Sequence, residues 1–368
     1  MEIPPRLQPE ISDADPHTSM TWSPAPLVRV VIPAFRATET IKDAVVAVLQ
    51  SRGFFDLEVV VVDDGDNDDL QGILSGMPVA IVRTGGSGSA AIARNTGVDG
   101  FPGKFIVFID SDVLVDERCI EYLLAPLRSC RADATVGNYS KNVAGLPFAS
   151  RYKQLYISRI YERRSGYLLN EFWTATGAVN AAAFHRLNGF DSRFMGAGGE
   201  DTELGGRLTT NGFRIMAVPE AVSDHRHAFS LWQLLRNDWR KGLLAMRCYF
   251  QHAGALSHNR HATRRDILAV GLADLTAVLL VLSPVVYRFI GLEQSLALLS
   301  VLSVYGALRA DILRAFLSQG TWFLIRAFGV MFLLDLTRSA CFAAGIGLWL
   351  TAHVAKSAEI RDSLARIE

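Results

Sequence analysis

Little in this sequence points to thiolate metal chemistry, to disulfides or to nucleic acid. The 4 cysteines, Cys119, Cys130, Cys248 and Cys341, form no C-x-x-C pair and no metal-ligand spacing. That excludes a zinc framework and leaves reduced thiols in a cytoplasmic setting as the reading. Lys plus Arg and Asp plus Glu each number 37, so no net charge draws in a polyanion and no nucleic acid partner is expected. The opening stretch, "MEIPPRLQPEISDADPHTSMTWSPAP", lacks a basic start followed by an apolar core, so it is not a secretory signal. Residues 1–26 read as a flexible polar arm.

Long apolar runs are missing from residues 27–265, where the pattern is that of a mixed globular domain. They dominate residues 266–352, and residues 353–368 are a polar tail, so the main boundary falls near Arg265. Within the first part, "VRVVIPAF" is a β-branched run that closes on Pro33, Ala34 and Phe35, and "ETIKDAVVAVLQS" follows with helical spacing. "LEVVVVDDG", "PVAIVRT" and "FIVFIDSD" supply further short apolar runs, alternating with helical stretches. Such runs suit a parallel sheet covered on both faces, in an α/β layer fold whose ligands sit at the carboxyl ends of the strands.

Acidic or glycine-rich residues fall at those ends: Asp63 and Asp64, the stretch Gly85 to Ser89, and Asp110-Ser111-Asp112. Side chains i and i+2 of an extended chain share a side, so Asp110 and Asp112 can converge on one object. Their mutual repulsion is relieved by a divalent cation or by ligand hydroxyls. The plainer alternative is that each acid caps a helix or sits in a surface turn.

"GGSGSA" places Gly86-x-Gly88-x-x-Ala91 between a strand and a helix, with Asp110 about twenty residues on, which fits the dinucleotide fingerprint of an NAD-dependent oxidoreductase. That fingerprint normally lies in the first strand-helix unit, however, and here it would leave Asp64 and Asp112 without a role.

The ordered set "VVIPAF", "VVVVDDG", "AIARNTG", "FIDSD", "LNGFDSRF" and "GGEDTELGGRL" resembles glycosyltransferase family 2, over about residues 27–227. The resemblance implies a GT-A fold, a Rossmann-like nucleotide-diphospho-sugar transferase domain, and transfer of a sugar from a nucleotide diphosphate sugar. It implies that the donor base lies against Pro33, Ala34 and Phe35 with Asp63 and Asp64. Asp110 and Asp112 match the family's D-x-D, with Ser111 between them, for ribose and for Mn²⁺ or Mg²⁺. Arg94 and Asn95 would stand on the donor side, Arg94 pairing either with a carboxylate or with phosphate. Asp201 of the Glu200-Asp201 pair maps to the catalytic base, with Glu200 orienting it or touching the acceptor. Both acids open a helical stretch, where they would equally well only offset the helix dipole. Trp173, Gly177 and Asn180 would shape the acceptor entrance. His225, with His227 as the alternative, matches a histidine that completes the metal site, unless it has no metal role. Glu203 and Arg207 read as a surface pair. "LLRNDWRKG" departs from the Q-x-x-R-W box of polymerising members, which disfavours a processive synthase.

"ILAVGLADLTAVLLVLSPVVYRFI" is long enough to cross a bilayer, although Asp274 and Pro284 interrupt it. "AFGVMFLLDLTRSACFAAGIGLWL" carries Asp335 and Arg338 on one helical face, where charges in a membrane pair with each other or face protein. Two or three crossings are compatible with these runs, as are soluble core helices. Arg260, Arg264 and Arg265 put the start of the first run on the cytoplasmic side. The expectation is an inverting, metal-dependent glycosyltransferase at the cytoplasmic face of the cell membrane, with a lipid-linked or saccharide acceptor. An inactive membrane adaptor with the same fold is the other alternative.

Overall fold

The computed structural model describes residues 25–65, 69–166, 168–251, 264–290 and 292–364. Most of the expected arm, Arg260 of the expected basic flank and the last residues of the expected tail lie outside them.

Four parallel strands form one half of the sheet: β1 (Leu27–Ala34), β2 (Asp56–Asp63), β3 (Ala80–Arg83) and β4 (Phe105–Ile109). Helices α1 (Ile41–Leu49), α2 (Leu70–Ile73) and α3 (Ala90–Val98) alternate with them. After β4 come β5 (Val113–Val115), α4 (Cys119–Arg128), β6 (Ala134–Tyr139), α5 (Phe148–Glu162), β7 (Leu168–Leu169), β8 (Thr176–Asn180), α6 (Ala181–Arg186), α7 (Glu200–Thr210) and β9 (Ile215–His225). The sheet order is β3-β2-β1-β4-β8-β6-β9-β5, with β7 on β9.

The apolar runs behave as their composition requires. Successive residues of β1 feed opposite cores, Ile32 joining Val45, Val61 and Leu123 on one face and Val31 joining Ala91, Phe108 and Leu204 on the other. The chain leaves β1 for β2 on one side and reaches β4 on the other. That switch opens a crevice at the carboxyl ends of β1 and β4. Past β4 the sheet turns antiparallel: β8 pairs with β4 from Phe105 opposite Asn180 to Ile109 opposite Thr176.

The carboxyl-terminal part is helical: α8 (Leu231–Gln251), α9 (Arg264–Ile290), α10 (Leu292–Leu308), α11 (Ala310–Leu317) and α12 (Thr321–Leu364). It packs on α5 through Tyr152 and Leu155, which share a core with Ala273, Tyr305, Phe316 and Met331. Among the described residues, Thr321–Thr351 is long and apolar enough to cross a membrane. Ser295–Leu308 with Ala310–Leu317, bent by 77°, adds a second if it counts as one span. The expected Asp335–Arg338 pair forms at 2.7 Å, and the buried Asp335 also holds Arg309 at 2.8 Å and accepts from the Tyr305 hydroxyl at 2.9 Å.

Candidate active site

The crevice collects most of the residues singled out from the sequence. Phe35 follows β1, half exposed, with its ring against Gly65, where a Cβ would come within 2.8 Å of it. Asp63, at the end of β2, meets Arg83 at 3.4 Å. Asp64 is buried and accepts hydrogen bonds from the hydroxyls of Thr84 and Ser87, so it fastens the glycine turn. The turn is tied further to the 194–196 loop. Ser89 caps α3 and donates to the Phe194 carbonyl at 2.6 Å, and Ala90 N–H donates to the Gly196 carbonyl at 3.0 Å. The same turn that fits a dinucleotide fingerprint thus carries its own hydroxyl ligands to a carboxylate.

Arg94 is the hub of the site. Its guanidinium is buried, and it donates to Asp110 at 2.8 Å and to Glu200 at 2.7 Å. Glu200 is buried as well, and its second oxygen accepts from Gly198 N–H at 2.7 Å. Of the alternatives open for Arg94, pairing with carboxylates is the one found. Glu200 therefore faces Arg94 rather than the acceptor. Asn95 faces away from the crevice, exchanging hydrogen bonds with the backbone of Phe190 at 2.8 and 2.9 Å. Its position on α3 turns it toward the loop after α6, which makes it a structural tie.

Asp112 lies between two imidazoles, with His225 Nε2 at 3.6 Å and His227 Nδ1 at 3.5 Å. Burial alone would raise the Asp112 carboxyl, but the hydrogen bond from His227 and the charges of His225 and His227 outweigh it and hold it below the usual range. Burial pushes the His225 imidazole down to about 4 against the pull of Asp112, so it is neutral and carries a lone pair at neutral pH. Among the described residues no three His, Cys, Asp or Glu side chains are gathered into a finished metal site. The Asp112 carboxylate is the kind of donor that suits Mn²⁺ or Mg²⁺, and the two imidazoles beside it are the less usual donors for such hard ions. Asp110, the other acid expected at the metal, has its Oδ1 on Arg94, while His227, the expected alternative to His225, stands as close to Asp112 as His225 does. Ser111 bridges the two acids in the turn after β4.

Asp201 opens α7 beside Glu200, and its Oδ1 accepts from Thr202 N–H at 2.7 Å. Burial first, and then the charge of Glu200, raise its carboxyl to about 6. Asp201 and Lys241 line a cavity of 1010 Å³ together with Trp173, whose indole stacks on Tyr161 at 5.5 Å. Gly205 lets α7 press onto the chain before Trp173, since a Cβ there would sit 2.5 Å from Phe172 N.

The other two acceptor-side expectations do not hold. Asn180 lies opposite Phe105, at the far edge of the sheet from Asp110, and caps α6 by accepting from Ala182 N–H. Because β8 runs antiparallel to β4, its first residue meets the crevice and its last is carried away. Gly177 is packed under the Trp173 carbonyl, 2.4 Å from where its Cβ would be, and does not line the cavity. The Glu203–Arg207 pair is formed, but inside the protein: Glu203 is buried, and Arg207 also donates to the carbonyls of Leu187 and Gly189.

Sequence reasoning missed Lys153 of α5, whose ammonium sits 3.9 Å from the Phe229 ring centre while that ring stacks on His225. Burial, then the charge of Lys241, lower it to about 7. A lone lysine on an amphipathic helix carries no sequence signal of this placement.

The profile described as "Glycosyl transferase family 2" matches residues 29–188, spanning β1 to α6 and including Asp64, Arg94, Asp110 and Asp112. These residues are a glycosyltransferase family 2 domain. A second profile, "N-terminal domain of galactosyltransferase", matches residues 159–230, which include Trp173, Asp201 and His225. The family 2 domain is similar to glycosyltransferase GlyG of Streptococcus pneumoniae, 30% identical over 118 residues, or 31% of this chain and 39% of that protein. The chain is also similar to the pre-mycofactocin glycosyltransferase of Mycobacterium tuberculosis, 28% identical over 239 residues, or 61% of this chain and 47% of that protein. The chain thus spans less than half the length of either relative. The fold matches that of a mannosyltransferase from Pyrobaculum calidifontis, solved with GDP-mannose and Mn²⁺, at a TM-score of 0.52 and 18% identity over 84% of this chain and 88% of that one.

Proposed function

We propose that this protein transfers a sugar, with inversion and one residue at a time, from a nucleotide diphosphate sugar to an acceptor hydroxyl or phosphate, lipid-linked or saccharide, at the cytoplasmic face of the cell membrane. The observation that carries this reading is that Arg94 joins Asp110, at the end of β4 two residues before Asp112, to Glu200, whose neighbour Asp201 lines the cavity. The Pyrobaculum mannosyltransferase, which shares the fold, binds GDP-mannose and Mn²⁺. The apolar helix Thr321–Thr351 supports the membrane location.

In this mechanism Phe35 and Asp64 seat the nucleoside, and Asp112 with His225 and His227 would hold the cation. When bound, that cation supplies positive charge to the departing diphosphate. Asp201 takes the acceptor proton as the acceptor oxygen bonds to the anomeric carbon. The bond from that carbon to the diphosphate breaks on the opposite face, and the nucleoside diphosphate leaves with the electron pair. Glu200 and Arg94 position Asp201 and Asp110 and touch no reacting atom.

A panel of UDP-, GDP- and dTDP-sugars, assayed for nucleoside diphosphate release with and without Mn²⁺, tests the reading. Metal-stimulated release from one donor class is expected. No release from any donor would point to an inactive adaptor, and tight NAD binding in its place to an oxidoreductase. Asp112→Ala should abolish Mn²⁺-dependent nucleoside diphosphate binding in calorimetry while leaving the melting temperature within a few degrees, since a carboxylate at a turn contributes little packing. Undiminished metal-dependent binding would remove Asp112 from the metal site.

The raised Asp201 carboxyl gives the reaction a pH signature. Asp201 works as a base only when ionised, so kcat/KM should fall as pH drops through about 6. An acid limb centred near the ordinary carboxylate value, about 4, would contradict the assignment.

A further inference from the structure

The cavity at Asp201 does not end with the family 2 domain. It continues past Trp173 between α5 and the carboxyl-terminal helices, where Asp266, Asp274, Arg309, Arg338 and Ser339 reach its wall. Its 1010 Å³ matches the upper end of small-molecule sites, about 1,000 Å³, and exceeds what one sugar ring fills.

The arginines on that wall are already paired, and Lys241, beside Asp201 at the reacting end, is the cation there with no ion pair among the described residues. Arg309 is held by Asp266 at 2.6 Å and by Asp335 at 2.8 Å. Arg338 is held by Asp335 at 2.7 Å and by Asp238 at 3.5 Å, and Arg164 by Glu171 at 3.0 Å. Asp274 accepts from the Ser339 hydroxyl at 2.6 Å. For any of these arginines to take up a phosphate it would have to abandon a carboxylate that is itself largely out of water, which is costly. An entering phosphate would meet Lys241 as its one unpaired counter-charge among the described residues, against Asp201, Glu171, Asp266 and Asp274 as like charges. Between the ion pairs the wall is apolar: Ile157, Ile160, Leu244, Val270 and, at exposed positions, Ile267 and Phe342.

We propose that this cavity is the acceptor site and that it takes an uncharged amphiphile, an aromatic or aliphatic body carrying a free hydroxyl, in preference to a phosphate. The assignment rests on Asp201 as the base that receives that hydroxyl's proton, and it narrows the acceptor to the hydroxyl class. The occupant packs its apolar body against Ile160, Val270 and Phe342, and stacks on Trp173 at the reacting end. The ion pairs offer their remaining edges to neutral hydroxyls without being broken.

The test uses the full chain without nucleotide or metal and a matched pair of probes, 4-methylumbelliferyl β-glucoside and 4-methylumbelliferyl phosphate, titrated by calorimetry. The glucoside is expected to bind at least about tenfold more tightly than the phosphate, the minimum consequence of forcing an anion among paired carboxylates. Val270→Trp, which fills the cavity, should weaken glucoside binding by roughly tenfold or more, because overpacking removes the space. Ile267→Trp, at an exposed rim position, serves if Val270→Trp does not fold. Equal or tighter binding of the phosphate overturns the charge assignment. Undisturbed glucoside binding in a folded variant overturns the location, and absence of binding by both probes overturns the proposal as a whole. No nucleotide is present, so the donor panel fails or succeeds independently of this result.

Discussion

Asp201→Asn should lower turnover by roughly 10²-fold or more and leave donor affinity nearly unchanged. Asparagine keeps the size of the side chain and its acceptor contact with Thr202 N–H, but it cannot accept a proton at neutral pH. The loss therefore falls on the transition state alone, when the acceptor oxygen is attacking. In the proposed mechanism donor affinity would be set elsewhere, by the crevice around Phe35, Asp64 and Asp112. The two carboxylates nearest in sequence that could take over are already engaged. Glu200 is buried against Arg94, and Asp191 is tied to Arg193 at 2.7 Å. Steady-state kinetics with the donor and acceptor found active, beside calorimetric donor binding, separate the two quantities. Turnover near that of the unmodified protein would remove Asp201 from the chemistry, and a parallel loss of donor affinity would make it a structural residue of the crevice.

How much of this site can be read without coordinates depends on the range of the interaction. The parallel strands are legible because β1, β2 and β4 are largely apolar runs, and because β2 and β4 lead straight into acids local composition brings Asp64, Asp110 and Asp112 to one edge. Asp335 and Arg338 are legible for the same reason, three residues apart on one helix. Glu203 and Arg207 are legible as a pair, but nothing local says that the loop carbonyls of Leu187 and Gly189 will close over the guanidinium. Arg94 and Glu200 are 106 residues apart, and only the packing of α7 against the crevice makes them partners. Asn180 is misplaced from sequence because a strand's direction is a property of its neighbours. The resemblance that placed Asn180 carries no strand direction, and the antiparallel pairing of β8 with β4 brings Thr176 to the crevice and carries Asn180 away from it. The cavity wall beyond Trp173 has the same character, since Arg309 gains its meaning from Asp266 and Asp335 on two other helices.

The second large effect falls on stability. Arg94→Met should cost about 3–5 kcal/mol, because it leaves Glu200 buried without its counter-charge. Methionine replaces the apolar stem and can still lie near the Phe190 ring, 5.8 Å from the guanidinium carbon, so lost packing is a minor part of the expected cost. Asp110 loses its partner too, but it is partly exposed and water can compensate, whereas Glu200 retains only the Gly198 N–H. Denaturant unfolding of the variant measures the cost, and the double variant Arg94→Met, Glu200→Gln identifies its source. Once the second charge is removed, roughly half or more of the loss should return, as the coupling of two residues in direct contact requires. A single variant within about 1 kcal/mol of the unmodified protein would mean that Glu200 is neutralised without Arg94. A double variant no more stable than the single would place the cost in the cavity left by the guanidinium.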